Sequence, residues 1–128
     1  MTSRWSASRL PWQHRSTAVG LSTLLLLLPA CKAGMPRWKR VLLATQAVIA
    51  FLSDYVYSGR PHLSHGLDRW GITLTALLCA RRAARSDVAL LPIACYSMSM
   101  ESIRLKHRAA YELWHTLWHI FGALCLYQ

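Results

Sequence analysis

Near the end of the chain stands "YELWHTLWHIFGALCLYQ", residues Tyr111–Gln128, in which His115 and His119 lie four residues apart. On a helix that spacing puts two imidazoles one turn apart on one face. Two imidazoles so placed can share one metal ion. A third ligand from another helix leaves an open coordination position, the arrangement of catalytic zinc. His65 is the expected third ligand, with His62, beside Pro61, in reserve. Asp68, three residues beyond His65 and on the same helix face, is placed to orient a histidine or to take a proton from water activated by the metal. Ser53 and Tyr57, four apart, can donate hydrogen bonds to a carbonyl or an oxyanion. The plainer alternative is that the two histidines only hydrogen-bond across helices, with Trp114 and Trp118 packing beside them. Glu112 with His115 also spells the ExxH of di-iron bundles, but the second such pair is missing. His14 and His107 lie in charged segments and read as solvated.

The elements that must hold these groups are read from hydropathy. The chain has 128 residues, enough for one domain. Charged residues make up 16% and apolar residues 54%, so a small water-exposed fold lacks polar residues to cover its core. After a basic arm, residues 1–15, come five apolar segments at about 16–31, 41–57, 63–80, 88–100 and 109–127. Gly59 and Pro61 break the chain between the second and third. The expectation is an all-α, multi-pass transmembrane bundle of about five helices, residues 16–128, in a membrane whose identity the sequence leaves open. The first segment, with "LLPAC" at its end, also resembles a secretory or lipoprotein signal, which the long basic arm and Pro29 fit poorly. The net charge of +10 raises nucleic acid as a partner. The basic residues fall in short clusters between apolar runs, which suits lipid headgroups better. No nucleic-acid-binding motif is present, and membrane lipid is the expected partner. The basic loops divide evenly between the two sides, so orientation is open. Cys31, Cys79, Cys95 and Cys125 are far apart and read as small buried hydrophobes rather than a disulfide framework.

Five crossings would bring sequence-distant polar groups to one side. Ser53, Asp54 and Tyr57 end the second helix, His62, His65 and Asp68 open the third, and Glu112, His115 and His119 lie in the first half of the fifth. Ionisable groups at that depth face a bundle interior and serve a function.

The serine and aspartate ending one helix, "HGLD" opening the next and "HTLWHIFGALCLY" near the C-terminus resemble the CREST superfamily of alkaline ceramidases, progestin/adipoQ receptors and hemolysin-III-like proteins. The resemblance covers residues 51–70 and 111–127. It implies a helical membrane protein, in some members a zinc-dependent lipid amide hydrolase. It also implies zinc held by His65 or His62 with His115 and His119, and Asp68 and Ser53 as polar partners. This chain departs from the family in having five candidate helices rather than seven, and in showing Tyr57 where the family's Ser-x3-His motif has histidine. Three functions stand as expectations. One is a membrane protein with an intramembrane zinc site hydrolysing a lipid amide. Another is a non-catalytic multi-pass protein, structural or receptor-like. The last is a redox membrane protein binding haem or non-haem iron.

Overall fold

A computed structural model describes residues 6–83 and 89–127. It is all-α, with no strand among the described residues. Helix α1 (Thr17–Thr23) starts at Ser16, whose Oγ accepts the Val19 N–H at 3.3 Å and so satisfies an orphan donor of the first turn. It runs through a 3-10 turn, Leu24–Leu26, into the short α2 (Leu27–Ala30). Pro36 leads into α3 (Arg37–Phe51), whose last turn widens to a π turn at Leu52–Val56, closed by the Tyr57 N–H on the Leu52 carbonyl at 2.9 Å. Helix α4 (Leu63–Ala83) comes after a bend at Gly59, where φ is +73° and a Cβ would lie 2.3 Å from the Trp12 carbonyl oxygen. Only glycine fits both demands. Helix α5 (Leu90–Arg104) carries Pro92 in its first turn, where no N–H is needed. A tight connection with Lys106 at φ 55° reverses the chain into α6 (Arg108–Tyr127), whose first turn is capped by His107 Nδ1 accepting the Ala110 N–H at 3.2 Å.

Helices α5 and α6 form a hairpin and pack most extensively. Helix α6 also packs on α1 and α2, while α3 packs on α4 and on the α1–α2 rod. One apolar cluster, Ala30, Met35 and Leu43 with Leu126 against it, closes the end where α2, α3 and α6 meet. The other end is polar inside: Ser22, Gln46, Ser53, His65, Ser99 and His115 are all buried. Residues 6–15 lie along this end. The Ser6 carbonyl accepts the His62 N–H at 2.8 Å, Trp12 sets its edge on Tyr111 at 5.3 Å, and Arg15 donates to the Val56 carbonyl at 3.2 Å. The first five residues of the basic arm, residues 84–88 between the third and fourth segments, and Gln128 lie outside the described residues. Cys95 and Cys125 are buried and Cys31 is exposed; the side chain of Cys79 falls outside the description.

The multi-pass membrane architecture is corrected by this fold. No helix among the described residues is long and apolar enough to cross a membrane. The physical reasons differ by element. The first apolar run is split into seven helical residues, a 3-10 turn and four more. Helix α5 has 15 residues, about 22 Å of rise against a hydrocarbon core of about 30 Å, and α3 with its π turn opens on Arg37, Lys39 and Arg40 and reaches Asp54. Helix α4 is longer but includes Asp68, Arg69, Arg81 and Arg82, and α6 opens with Arg108, Glu112 and both histidines. The membrane location, the lipid amide hydrolase with an intramembrane site, and its multi-pass structural, receptor-like or redox alternatives go with the crossings that supported them. The apolar residues that suggested spans lie instead on outward faces. Leu21, Leu28, Trp70, Leu77, Leu90 and Ile93 are all more than half exposed.

Candidate metal centre

Two elements aim three side chains at one point. The π turn after α3 presents Asp54, and successive turns of α6 present His115 and His119. The extra residue in a π turn rotates the residues beyond it relative to a regular helix, and Asp54 is the side chain so redirected. Its Oδ2 lies 3.2 Å from His115 Nε2 and 3.3 Å from His119 Nε2. One ligand atom from each of the three residues lies within 4.8 Å of the other two. The imidazoles meet edge to face at 4.8 Å.

The outer nitrogens decide what the inner ones can do. His119 Nδ1 lies 2.7 Å from Ser22 Oγ, and that hydroxyl donates its single hydrogen to the Val19 carbonyl at 2.7 Å. His115 Nδ1 lies 3.3 Å from Ser99 Oγ, which donates to the Tyr96 carbonyl at 2.8 Å. A hydroxyl has one proton to give. Both serines can therefore accept an Nδ1 proton, the tautomer that frees Nε2 for a cation; without one, Nε2 of each ring is within reach to donate to the Asp54 carboxylate. In that tautomer both Nε2 lone pairs face the Asp54 oxygen. Three lone pairs converging on one point repel unless a cation lies among them. Charging both rings would place two imidazolium ions against one carboxylate in a largely buried site, a costly excess.

Burial pulls the His119 pKa down, partly opposed by its contact with Asp54, and so favours the neutral ring. Burial also resists charge on Asp54, but the hydrogen bonds and charges of His115 and His119 outweigh it and hold the carboxyl well below its ordinary range. Asp68 behaves oppositely. Burial and the charge of Asp54 push its carboxyl well above the usual value, against smaller pulls from Gln46 and Arg69. Tyr111, buried beside His115 with ring centroids 4.9 Å apart, is pushed up by burial first and by Asp54 and Asp68 next.

The other residues singled out in the sequence fall in different places. His65 Nε2 donates to the Arg60 carbonyl at 2.7 Å, which leaves Nδ1 to accept from Ser53 Oγ at 2.8 Å. Both ring nitrogens of His65 are thus committed, tying the π turn to the start of α4. His62 caps α4 through Nδ1, which accepts the Ser64 N–H at 3.1 Å, and its ring stacks on Tyr57 at 3.4 Å. His65 and His62 do not join Asp54, His115 and His119, and Tyr57 turns toward His62. Asp68 Oδ1 accepts from Gln46 Nε2 at 2.8 Å, a contact that Gly71 permits, since a Cβ there would meet Gln46 Oε1 at 2.0 Å. Glu112 is paired with Arg108 at 2.7 Å, away from the histidines. Sequence reasoning missed Ser22, Ser99 and Gln46. Ser22 and Ser99 carried a faint signal as polar residues within apolar helices.

A cavity of about 80 Å³ opens beside the group. Ser53, Asp54, His65, Asp68 and His115 line its inner wall, and Arg9, Arg69 and Tyr111 also border it. A cation held by Asp54 and the two histidines would have three protein ligands, the number in an open rather than a closed zinc site, and two of them, Asp54 and His115, line this cavity. No family model, no curated protein and no solved structure matches this chain.

Proposed function

We propose that this chain is a metal-binding helical protein whose Asp54, His115 and His119 hold one zinc ion. The observation that carries the reading is the convergence of the three side chains, one ligand atom from each lying within 4.8 Å of the other two. Ser22 and Ser99, set against the two Nδ1 atoms, can hold the protons there and so free both Nε2 lone pairs for a cation beside the Asp54 oxygen. Serine oxygens acting on the far side of the rings are the outer partners that metal-ligating histidines ordinarily have. The donor set, two imidazoles and one carboxylate, suits zinc, which such sites bind more tightly than iron(II). The side facing the cavity leaves room for a small ligand to complete the coordination.

The test is metal content by mass spectrometry on purified protein, beside the His115→Ala/His119→Ala double variant. About one zinc per chain, lost in the double variant, is the expected result. Iron in place of zinc would overturn the identity of the ion. No metal in either protein, with both helical by circular dichroism, would overturn the site.

A further inference from the structure

The cavity beside the metal centre has a charge that the metal centre does not explain. Arg9, from the segment laid along the bundle, and Arg69, from α4, both line it, and each guanidinium lies in the field of the other. Arg9 Nη1 is steadied by neutral groups, the Tyr96 hydroxyl at 3.2 Å and the Met100 sulfur at 3.7 Å. Arg69 Nη2 donates to the Ala7 carbonyl, which draws the same segment over the cavity. A guanidinium has five N–H donors in a planar fork, and the two contacts of Arg9 both run through Nη1, so Arg9 can address a ligand while keeping them.

The charges can be followed around the lining. A divalent ion on Asp54 keeps one positive charge uncancelled. The two arginines add two more, and Asp68, even when ionised, removes one. The lining thus stays positive by two charges or more, in a space partly screened from water. Two guanidiniums and a hard cation around one small volume is the arrangement that recognises oxyanions with several acceptor oxygens. The volume, about 80 Å³, is several times the roughly 10–15 Å³ that one water needs, room for a single tetrahedral oxyanion.

We propose that this cavity binds a phosphate dianion, with one oxygen toward the cation at Asp54, His115 and His119 and the others held by Arg9 and Arg69. A dianion matches the excess charge, and its tetrahedral oxygens can address both arginines and the cation together, which a carboxylate with two oxygens cannot. The phosphate is either inorganic phosphate or the phosphomonoester end of a small molecule whose remainder leaves past Arg9, which is exposed. The inference rests on the zinc reading.

The experiment is calorimetric titration of zinc-loaded full-length chain with inorganic phosphate, glycerol phosphate and acetate, repeated on Arg9→Gln and Arg69→Lys. Zinc content is measured on every sample. Phosphate or its monoester should bind the wild type about tenfold or more tighter than it binds Arg9→Gln, and tighter than acetate binds. Whichever of the two phosphates binds better identifies the source. Equal affinity in wild type and Arg9→Gln, or acetate binding as well as phosphate, would overturn the proposal. Arg9 lies outside the helices, so its variant should fold even if Arg69→Lys does not. A wild type that takes up no zinc would defeat the metal reading and this inference with it. Zinc uptake without phosphate affinity would defeat this inference alone.

Discussion

At the scale of single residues, the centre depends on where two protons sit. Ser22 and Ser99 each donate to a carbonyl three residues back and so can accept from the imidazoles. Ser22→Ala removes the acceptor for the His119 Nδ1 proton. Zinc affinity should fall by about 10- to 100-fold, read by competition with a chromophoric chelator, while helix content stays unchanged. A loss of helix without loss of zinc would contradict the role given to Ser22. Asp68 makes a different test. Its folded pKa is raised above that of the unfolded chain by burial and by Asp54. A raised carboxyl contributes stability that is full below the unfolded pKa, about 3.9, and is lost as pH rises toward the folded value. Asp68→Asn, which keeps the oxygen that accepts from Gln46, should therefore melt at a higher temperature than wild type at pH 8, with the difference shrinking toward pH 4. A lower melting temperature at pH 8 would show that the ionised carboxylate is stabilised in place. The meeting of His115 and His119 was legible in the sequence because a spacing of four is a local property of one helix. The serines were not, because back-bonding to a carbonyl looks the same in a sequence whether or not an imidazole lies across the interface.

At the scale of elements, the π turn at Leu52–Val56 places Asp54. Nothing in "AFLSDYVY" marks one residue too many in a turn, so the sequence points to His65, with His62 in reserve, and not to Asp54 for the third position. Helix starts were more legible. Ser16 before α1 and the Gly59–Pro61 break before α4 are dictated by capping and backbone chemistry. The bend at Gly59 carries its own test. Alanine there must adopt a positive φ, which costs about 1–2 kcal/mol, and must move the Trp12 carbonyl from 2.3 Å away. Gly59→Ala should lower stability to urea by at least that amount and loosen residues 6–15 from the bundle, read as faster amide exchange at Trp12. Wild-type stability and exchange would mean that the bend and the segment packed on it are not coupled.

At the scale of the whole molecule, composition misled. A chain with 54% apolar residues reads as spans if those residues are assumed to need lipid. Here many of them face outward from helices too short or too charged to cross a membrane, while serines, glutamine and histidines gather inside one end. That inversion is invisible to a window of hydropathy, which averages over faces. The apolar end is still anchored conventionally. Leu43 is 1% exposed against Ala30 and Met35, and Leu43→Ala should cost about 2–5 kcal/mol in urea unfolding, a loss below 1 kcal/mol being inconsistent with a packed cluster there. The helices meeting at that end are the ones that carry Asp54 and the two histidines to their common point at the other. The most direct test is long-range proton–nitrogen NMR of the imidazoles during a zinc titration. Zinc should shift both Nε2 resonances and leave the two rings protonated on Nδ1. Protons that stay on Nε2 after zinc is added, or Nε2 resonances indifferent to zinc, would contradict a metal centre at Asp54, His115 and His119.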